Sequence, residues 1–184
     1  TLTGVTKVHA NPGAANGAST SVGALSNGVL WTWGYNAYGQ LGLGSTTAYI
    51  QVPTSTGISD ISKFKMGWTS VLLKTDGSLH ICGDHTYGAL GVAGAAAART
   101  TFQQLVALGT TVLDFDICEG TIQAVAAIIS SAGGRHLRTW GYNGYGNLGV
   151  GNSTNQTTPQ TPSGTWQGSV EKVQFGGSSN GAAI

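Results

Sequence analysis

A long sequence motif occurs twice in this chain, and it constrains the fold more than any other feature. Residues 30–44 read LWTWGYNAYGQLGLG, and residues 137–151 read LRTWGYNGYGNLGVG. A weaker copy at residues 79–92 reads LHICGDHTYGALGV. Its anchor Cys82 lies 49 residues after Trp33 and 58 residues before Trp140. A period of about 50 residues means that the fold repeats one structural unit.

The segments around the motifs have the character of short strands. Residues 28–33 and 62–66 alternate in polarity, and Gly, Ser, Thr, Asn and Pro interrupt the chain every few residues. Glycine alone accounts for 30 of the 184 residues, and each glycine inside a helix costs about 1 kcal/mol. We therefore predict an all-β fold in which helix is nearly absent.

Repeats of this length made only of strands are typical of a β-propeller, with one four-stranded blade per repeat. A single blade cannot bury both of its faces, so neighbouring blades stack. We predict that the leucines of the motif point into the blade-to-blade core, and that Trp33 and Trp140 are buried at equivalent points. The predicted structural anchors of the repeat are Trp33, Gly34, Leu41, Cys82, Leu90, Trp140, Gly141 and Leu148.

The pattern W-G-x-N-x-Y-G-x-L-G-x-G, preceded by D-G-x-L at residues 76–79, resembles the regulator of chromosome condensation (RCC)-type repeat. The resemblance covers nearly the whole chain, as repeats 1–57, 58–112 and 113–169 and an incomplete repeat 170–184. It implies a seven-bladed propeller, guanine-nucleotide exchange on a small GTPase, and chromatin binding. The middle copy departs from the pattern, with Cys82 in place of Trp and Asp84-His85 in place of Tyr-Asn.

The chain contains too few repeats to close a seven-bladed ring. Seven blades need roughly 350 to 400 residues at about 50 residues per blade, whereas this chain holds about three blades and the start of a fourth. An open arc leaves two blade faces unpaired, which favours aggregation or self-association. We expect residues 1–184 to be part of a longer propeller; assembly of several copies into a closed ring is the alternative.

Charged residues are scarce, and this excludes some partners. They make up 8% of the chain, with a formal net charge of +1, against about 25% in an average protein. Eight Lys and Arg residues without a basic tail argue against phosphate contacts, so we expect no nucleic-acid partner. The apolar runs are too short to cross a bilayer, so we expect no membrane insertion.

Two motifs suggest ligand chemistry, but the other repeats explain both without it. The G-x-G-x-x-G pattern at residues 144–149 lacks the following helix that a dinucleotide site requires. His80, Cys82 and His85 are spaced like metal ligands, but the other copies hold Trp, Arg or Asn in these columns. We therefore predict no catalytic residue, no metal site and no cofactor.

Two further groups of residues have simple interpretations. The one carboxylate cluster of the sequence contains Asp114, Asp116 and Glu119, of which Asp114 and Asp116 share a strand face. No candidate catalytic partner is near them in sequence, and we expect them on a solvated rim of the propeller. The two cysteines, Cys82 and Cys118, fall in different repeats. We expect both thiols to be free and largely buried.

One column of the motif varies widely in size and polarity, since it holds Trp31, His80 and Arg138. Such variation favours an exposed position, although packing between blades is the alternative interpretation. An exposed tryptophan beside tyrosine and asparagine suits a protein partner or a cell-surface glycan. The predicted partner or glycan surface consists of Trp31, Tyr35, Asn36, Arg138, Tyr142 and Asn143.

These observations favour a non-enzymatic structural or binding module. The neutral, Gly-, Thr-, Ser- and Asn-rich composition is typical of extracellular or virion proteins, such as phage tail, fibre or decoration proteins, and of bacterial surface proteins. We expect attachment or protein–protein interaction within a larger assembly. The alternative is the function that the resemblance implies, a cytoplasmic or nuclear exchange or regulatory propeller acting on a small GTPase. A tryptophan-based photoreceptor propeller is a third alternative.

Overall fold

Three four-stranded antiparallel sheets dominate the computed structural model, which describes residues 1–11, 13, 19–94, 98–118, 123–164 and 168–175, and the backbone of 182–183. Each sheet is a meander whose strands pair in chain order. Blade 1 contains β1 (Val5–Ala10), β2 (Ser21–Ser26), β3 (Val29–Tyr35) and β4 (Tyr49–Ser55). Blade 2 contains β5 (Ile61–Lys65), β6 (Thr69–Lys74), β7 (Leu79–Gly83) and β8 (Arg99–Gln104).

The third blade and the beginning of a fourth follow the same order. Blade 3 contains β9 (Val112–Ile117), β10 (Ala124–Ser131), β11 (Gly134–Gly141) and β12 (Gln156–Gln160). A two-stranded sheet of β13 (Gln174–Phe175) and β14 (Ala182–Ala183) comes next. Among the described residues the one helical segment is a short 3-10 turn, Val106–Leu108. The predicted all-β partial propeller is confirmed.

The hydrophobic core is divided among three boundaries between successive blades. Leu41 of blade 1 is buried with Phe64 and Leu72 of blade 2. The second cluster joins blades 2 and 3 and contains Leu90, Phe115 and Trp140. Leu148 lies in the third cluster, where Val170, Val173 and Phe175 lead into the fourth blade. The three motif leucines are at most 1% exposed, which shows that each blade buries its apolar surface against the next.

Trp33 and Trp140 occupy equivalent positions but differ in burial. Trp140 is fully buried, because its face of blade 3 packs against blade 2. Trp33 is half-buried, contrary to the expectation of equal burial. By equivalence with Trp140, it lies on the face of blade 1 that points away from blade 2. Cys82, at the third equivalent position, is fully buried, and Cys118 is also buried. Neither cysteine forms a disulfide.

Charged side chains connect the innermost strands of neighbouring blades. Lys63 of β5 lies 2.6 Å from an Asp114 carboxylate oxygen of β9, and Lys65 lies 2.6 Å from Asp116. Asp116 is 2% exposed, and its second oxygen accepts the Phe175 backbone N–H at 2.7 Å. The expectation of a solvated rim is therefore wrong for these aspartates. They pair across a blade boundary because the inner strands converge there. Glu119 lies outside the residues that the structure describes.

Candidate functional site

A glycine turns the chain at the end of the third strand in every blade. Gly34, Gly83 and Gly141 have φ values of +99°, +102° and +99°. A Cβ at any of them would lie 2.4 Å or less from the carbonyl oxygen of the residue that precedes the second strand, so only glycine fits. The next backbone N–H donates to that same carbonyl at 2.8–2.9 Å. This turn fixes three residues at the same end of the blades: Tyr35, Asp84 and Tyr142.

The asparagine that follows is a structural residue of the loop. The Asn36 amide oxygen accepts the Leu41 N–H at 3.0 Å, and its NH₂ group donates to the Ser45 carbonyl at 2.9 Å. Asn143 makes the equivalent bond with Leu148 at 3.0 Å. Both asparagines are fully buried. Their assignment to a partner or glycan surface is therefore corrected, because their hydrogen-bonding groups already hold the loop together.

Histidine takes the place of this asparagine in blade 2. The His85 Nδ1 accepts the Leu90 N–H at 3.3 Å, as the asparagine oxygens do in the other blades. Burial, followed by the nearby Arg99 charge, lowers the pKa of His85 below its usual value of 6.5. The neutral ring is the form that can accept this hydrogen bond.

The loops of blades 1 and 2 then pack against the outer strand of the next blade. A Cβ on Gly39 would lie 2.7 Å from the Thr100 Cα in β8, and a Cβ on Gly88 would lie 2.8 Å from the Thr157 Cα in β12. These close approaches bring the tyrosine before each glycine to the blade boundary. Aromatic residues from two blades therefore meet there.

The first aromatic cluster lies at the boundary of blades 1 and 2. Tyr35 contacts Tyr38 at 6.1 Å between ring centroids, with the planes at 70°, and Tyr49 at 5.7 Å and 59°. Tyr38 in turn stacks on Trp68 of blade 2 at 5.2 Å and 24°. The cluster therefore combines residues of β3, its loop and β4 with the residue that precedes β6.

The second aromatic cluster repeats this arrangement at the boundary of blades 2 and 3. Tyr142 contacts Tyr145 of its own loop at 5.8 Å and 62°, and Tyr87 of blade 2 at 5.0 Å and 75°. We call the two clusters together the aromatic surface. It contains all six tyrosines of the chain.

Tyr49 and Tyr145 make the aromatic surface accessible, with 58% and 77% of their area exposed. Loss of hydration raises the pKa of Tyr35 above its usual value of 10.0, and the neighbouring tyrosines add to the shift. The pKa of Tyr142 is raised in the same way. These phenols are therefore neutral hydrogen-bond donors at physiological pH.

Asp84 occupies the column that holds tyrosine in blades 1 and 3, but it adds little charge to the surface. It is 6% exposed. Gln123 donates to its carboxylate at 2.5 Å, and the Thr86 backbone N–H and hydroxyl donate to it at 3.0 and 2.7 Å. A buried carboxylate that accepts several hydrogen bonds is a structural group.

Two predicted surface residues lie away from the aromatic surface. Trp31 and Arg138 are half-buried rather than exposed, and each stands four residues before a cluster tyrosine, about 13 Å along the strand. Arg138 donates to the Leu137 carbonyl beside it at 3.0 Å. Of the six residues predicted to form one surface, the structure therefore brings only Tyr35 and Tyr142 into the aromatic surface.

Sequence reasoning missed most of the aromatic surface. Tyr49, Tyr87, Tyr145 and Trp68 were not among the predicted surface residues, although the Y-N-x-Y spacing of two repeats pointed to Tyr145. Tyr49 and Trp68 join through strand register and blade stacking, which the sequence does not display.

Among the described residues, no group of three or more His, Cys, Asp and Glu side chains is placed to hold a metal ion. In the same part of the chain, no helix has the length and apolarity to span a bilayer.

Known proteins share the repeat and the fold of this chain. The family model of the Regulator of chromosome condensation (RCC1) repeat matches residues 27–73. The ultraviolet-B receptor UVR8 of Arabidopsis thaliana is 34% identical over 149 residues, 79% of this chain. This chain carries RCC1-type repeats. A second RCC1-like relative, the human X-linked retinitis pigmentosa GTPase regulator, is 31% identical over 153 residues, 78% of the chain.

Solved structures of yeast RCC1 (Prp20) have the same fold. The structure with bound Kap60 superposes with a TM-score of 0.66 at 19% identity, over 79% of this chain and 35% of that one. A structure of Saccharomyces cerevisiae Prp20p gives a TM-score of 0.65 at 20% identity, over 79% and 36%. The RCC1-type chain spans 32% of the length of UVR8 and 14% of that of the GTPase regulator.

Proposed function

We propose that this chain is part of a protein-binding, regulatory propeller, and that the aromatic surface contacts its protein partner. The observation that carries the proposal is the gathering of all six tyrosines, with Trp68, at one end of three successive blades. Tyrosine and tryptophan are enriched at the energetic centres of protein interfaces. Their rings offer a large contact area for little loss of side-chain entropy.

The distribution of charge supports a protein partner over a nucleic acid. Lys63 and Lys65 are engaged with carboxylates across a blade boundary, and Lys7 donates to the Ser62 carbonyl at 2.6 Å. With Arg138, which donates to the Leu137 carbonyl, at least four of the eight basic residues have partners within the fold. Nucleic-acid affinity depends on basic side chains that are free to meet phosphates.

The relatives favour the regulatory alternative over the virion or bacterial surface protein. They come from a plant, human and yeast, and one is named as a GTPase regulator. Prp20p is described by its binding to Gsp1p and histones. We accordingly place this chain in the cytoplasm or nucleus. The buried thiol of Cys82, which forms no disulfide, suits such a reducing compartment.

The tryptophan-based photoreceptor gains no support from the aromatic pairs. Among the described residues, every ring pair joins two tyrosines or joins Tyr38 to Trp68, and none joins two tryptophans. Guanine-nucleotide exchange remains the second candidate, because a GTPase regulator is among the relatives. It is a specific form of protein binding, and the same experiment addresses it.

The test measures the binding of the full polypeptide to purified small GTPases and to core histones. The double variant Tyr49→Ala/Tyr145→Ala is compared with Val52→Ala/Val106→Ala. The control residues are 66% and 77% exposed, and Val106 lies beyond the opposite end of β8 from the aromatic surface. We expect the tyrosine variant to bind about tenfold more weakly and the control to bind normally. Equal binding by the two variants would overturn the proposal.

Release of a fluorescent guanine nucleotide from each GTPase is recorded in the same series. Release that is accelerated by the full polypeptide and slowed by the tyrosine variant supports exchange activity. Binding without accelerated release supports a regulatory propeller that is not an exchange factor.

A further inference from the structure

We propose that the aromatic surface binds a proline-rich segment in the polyproline II conformation. This inference rests on the proposed function and names the chemistry of the partner. It follows from the angles between the rings, from the hydrogen-bonding groups that the rings present, and from the absence of charge among the cluster side chains.

The rings meet edge to face, so the aromatic surface is not a single flat platform. Tyr35 and Tyr38 meet at 70°, and Tyr142 and Tyr145 meet at 62° in the equivalent loop of blade 3. Tyr87 stands at 75° to Tyr142 on the other side of the blade boundary. Grooves lined by such rings accept the pyrrolidine rings of polyproline II segments, which lose little entropy on binding.

The hydroxyl groups match the backbone of a proline-rich segment. Each neutral phenol carries one O–H donor. Tyr49 and Tyr145 are 58% and 77% exposed, so their O–H groups are accessible to a bound segment. A proline residue has a carbonyl acceptor and no N–H donor, so these donors suit its exposed carbonyl groups.

The geometry argues against a glycan as the occupant. Sugar recognition uses amide and carboxylate side chains that hydrogen-bond the hydroxyl groups. Asn36 and Asn143, the amides beside the clusters, are fully buried and bonded within their loops.

A strongly charged peptide fits the surface less well than a neutral one. The seven side chains of the clusters carry no charge at physiological pH. Asp84, the carboxylate in the same column of blade 2, is buried and bonded to Gln123 and Thr86. A neutral, donor-rich aromatic surface complements a segment of apolar rings and carbonyl groups.

Fluorescence anisotropy with a labelled polyproline peptide tests the inference. A peptide of roughly ten residues extends about 31 Å at 3.1 Å per residue. The full polypeptide is compared with its Tyr145→Ala, Tyr145→Phe and Val106→Ala variants, and a Gly-Ser peptide of equal length serves as the ligand control. We expect the polyproline peptide to bind in preference to the Gly-Ser peptide. Tyr145→Ala should weaken binding about tenfold, Tyr145→Phe by less, and Val106→Ala should have no effect.

Three outcomes would overturn the inference: no preference for polyproline, equal binding by Tyr145→Ala and Val106→Ala, or displacement of the peptide by a neutral oligosaccharide. Its failure is distinguishable from failure of the proposed function. If the tyrosine variants lose their GTPase or histone partner but polyproline does not bind, only the ligand class is wrong. If neither partner nor peptide depends on the tyrosines, both proposals fail.

Discussion

Trp140 donates its indole N–H to the Ala89 carbonyl at 2.8 Å across the boundary of blades 2 and 3. The indole also lies against Gly91, where a Cβ would be 2.9 Å from its nitrogen. At the preceding boundary Cys82 takes the tryptophan position, and the Phe102 ring of β8 lies against Gly42, the equivalent of Gly91. The same space between blades is thus filled by an indole from the third strand or by a phenyl ring from the fourth.

The fourth strand of each blade carries a residue that compensates for the size of the residue at the tryptophan position. The strand register places Phe102 in the column that holds proline in the other two blades, Pro53 and Pro159. Blades with tryptophan therefore have proline there, and the blade with cysteine has phenylalanine. Such volume compensation maintains packing density at each boundary.

This compensation predicts strong coupling between two substitutions. Cys82→Trp alone should overpack the boundary and cost about 1 to 3 kcal/mol, and Phe102→Pro alone should leave a cavity. The double variant Cys82→Trp/Phe102→Pro recreates the pair of blade 3, so its cost should fall below the sum of the single costs by about 1 to 3 kcal/mol. Denaturant unfolding of all four proteins measures the coupling. Additive costs would show that the two side chains do not share one space.

The different burial of the two motif tryptophans predicts unequal costs of truncation. In the 184-residue chain, Trp140→Ala removes a fully buried indole and should cost about 3 to 5 kcal/mol. Trp33→Ala removes a half-buried indole and should cost less than half as much. Chemical unfolding followed by circular dichroism compares them. Equal costs would mean that the outer face of blade 1 is covered, for example by self-association.

The sequence predicted the architecture well because the repeat aligns equivalent columns. Leu41, Leu90 and Leu148 recur at one spacing, and each is buried at a blade boundary. The residue types in a column of the repeat do not show whether the side chains are buried or which groups they hydrogen-bond. Asn36 is polar and was placed on the surface, but it is buried because its amide replaces backbone hydrogen bonds within the loop.

The aromatic surface was only partly predictable for a related reason. Tyr35 and Tyr142 belong to the motif and were identified from it. Tyr49 joins through the pairing of β3 with β4, and Trp68 joins through the stacking of two blades. Both contacts depend on strand register and blade geometry, which become visible only in three dimensions.

The turn at the end of the third strand predicts a position-specific cost for alanine. At Gly83 the φ is +102°, and a Cβ would lie 2.2 Å from the Trp68 carbonyl oxygen. At Gly57 the φ is +73°, but nothing lies within 4 Å of a Cβ. Gly57→Ala should therefore cost about 1 kcal/mol from backbone strain, whereas Gly83→Ala should cost several times as much. Thermal unfolding compares the two, and similar costs would contradict the close approach.

His85 predicts a loss of stability in mild acid. Its pKa is lowered in the folded protein, so the unfolded chain binds more protons below pH 6.5, and stability falls as the pH decreases from there towards the folded pKa. His85→Asn restores the asparagine of the other two loops and should reduce this acid sensitivity. Part of the acid sensitivity should remain in this variant, because burial also lowers the pKa of His80. Unfolding at pH 8 and pH 5 measures the effect, and an unchanged difference between the two pH values would contradict it.

Photo-crosslinking in cells tests most directly whether the aromatic surface is a protein-binding site. A benzophenone amino acid is placed at Tyr145 or, as the control, at Val106, since both positions are 77% exposed. The account predicts a discrete protein adduct from position 145, identified by mass spectrometry, that is weakened by Tyr49→Ala and has no counterpart from position 106. Equal adducts from the two positions, or none from position 145, would contradict it.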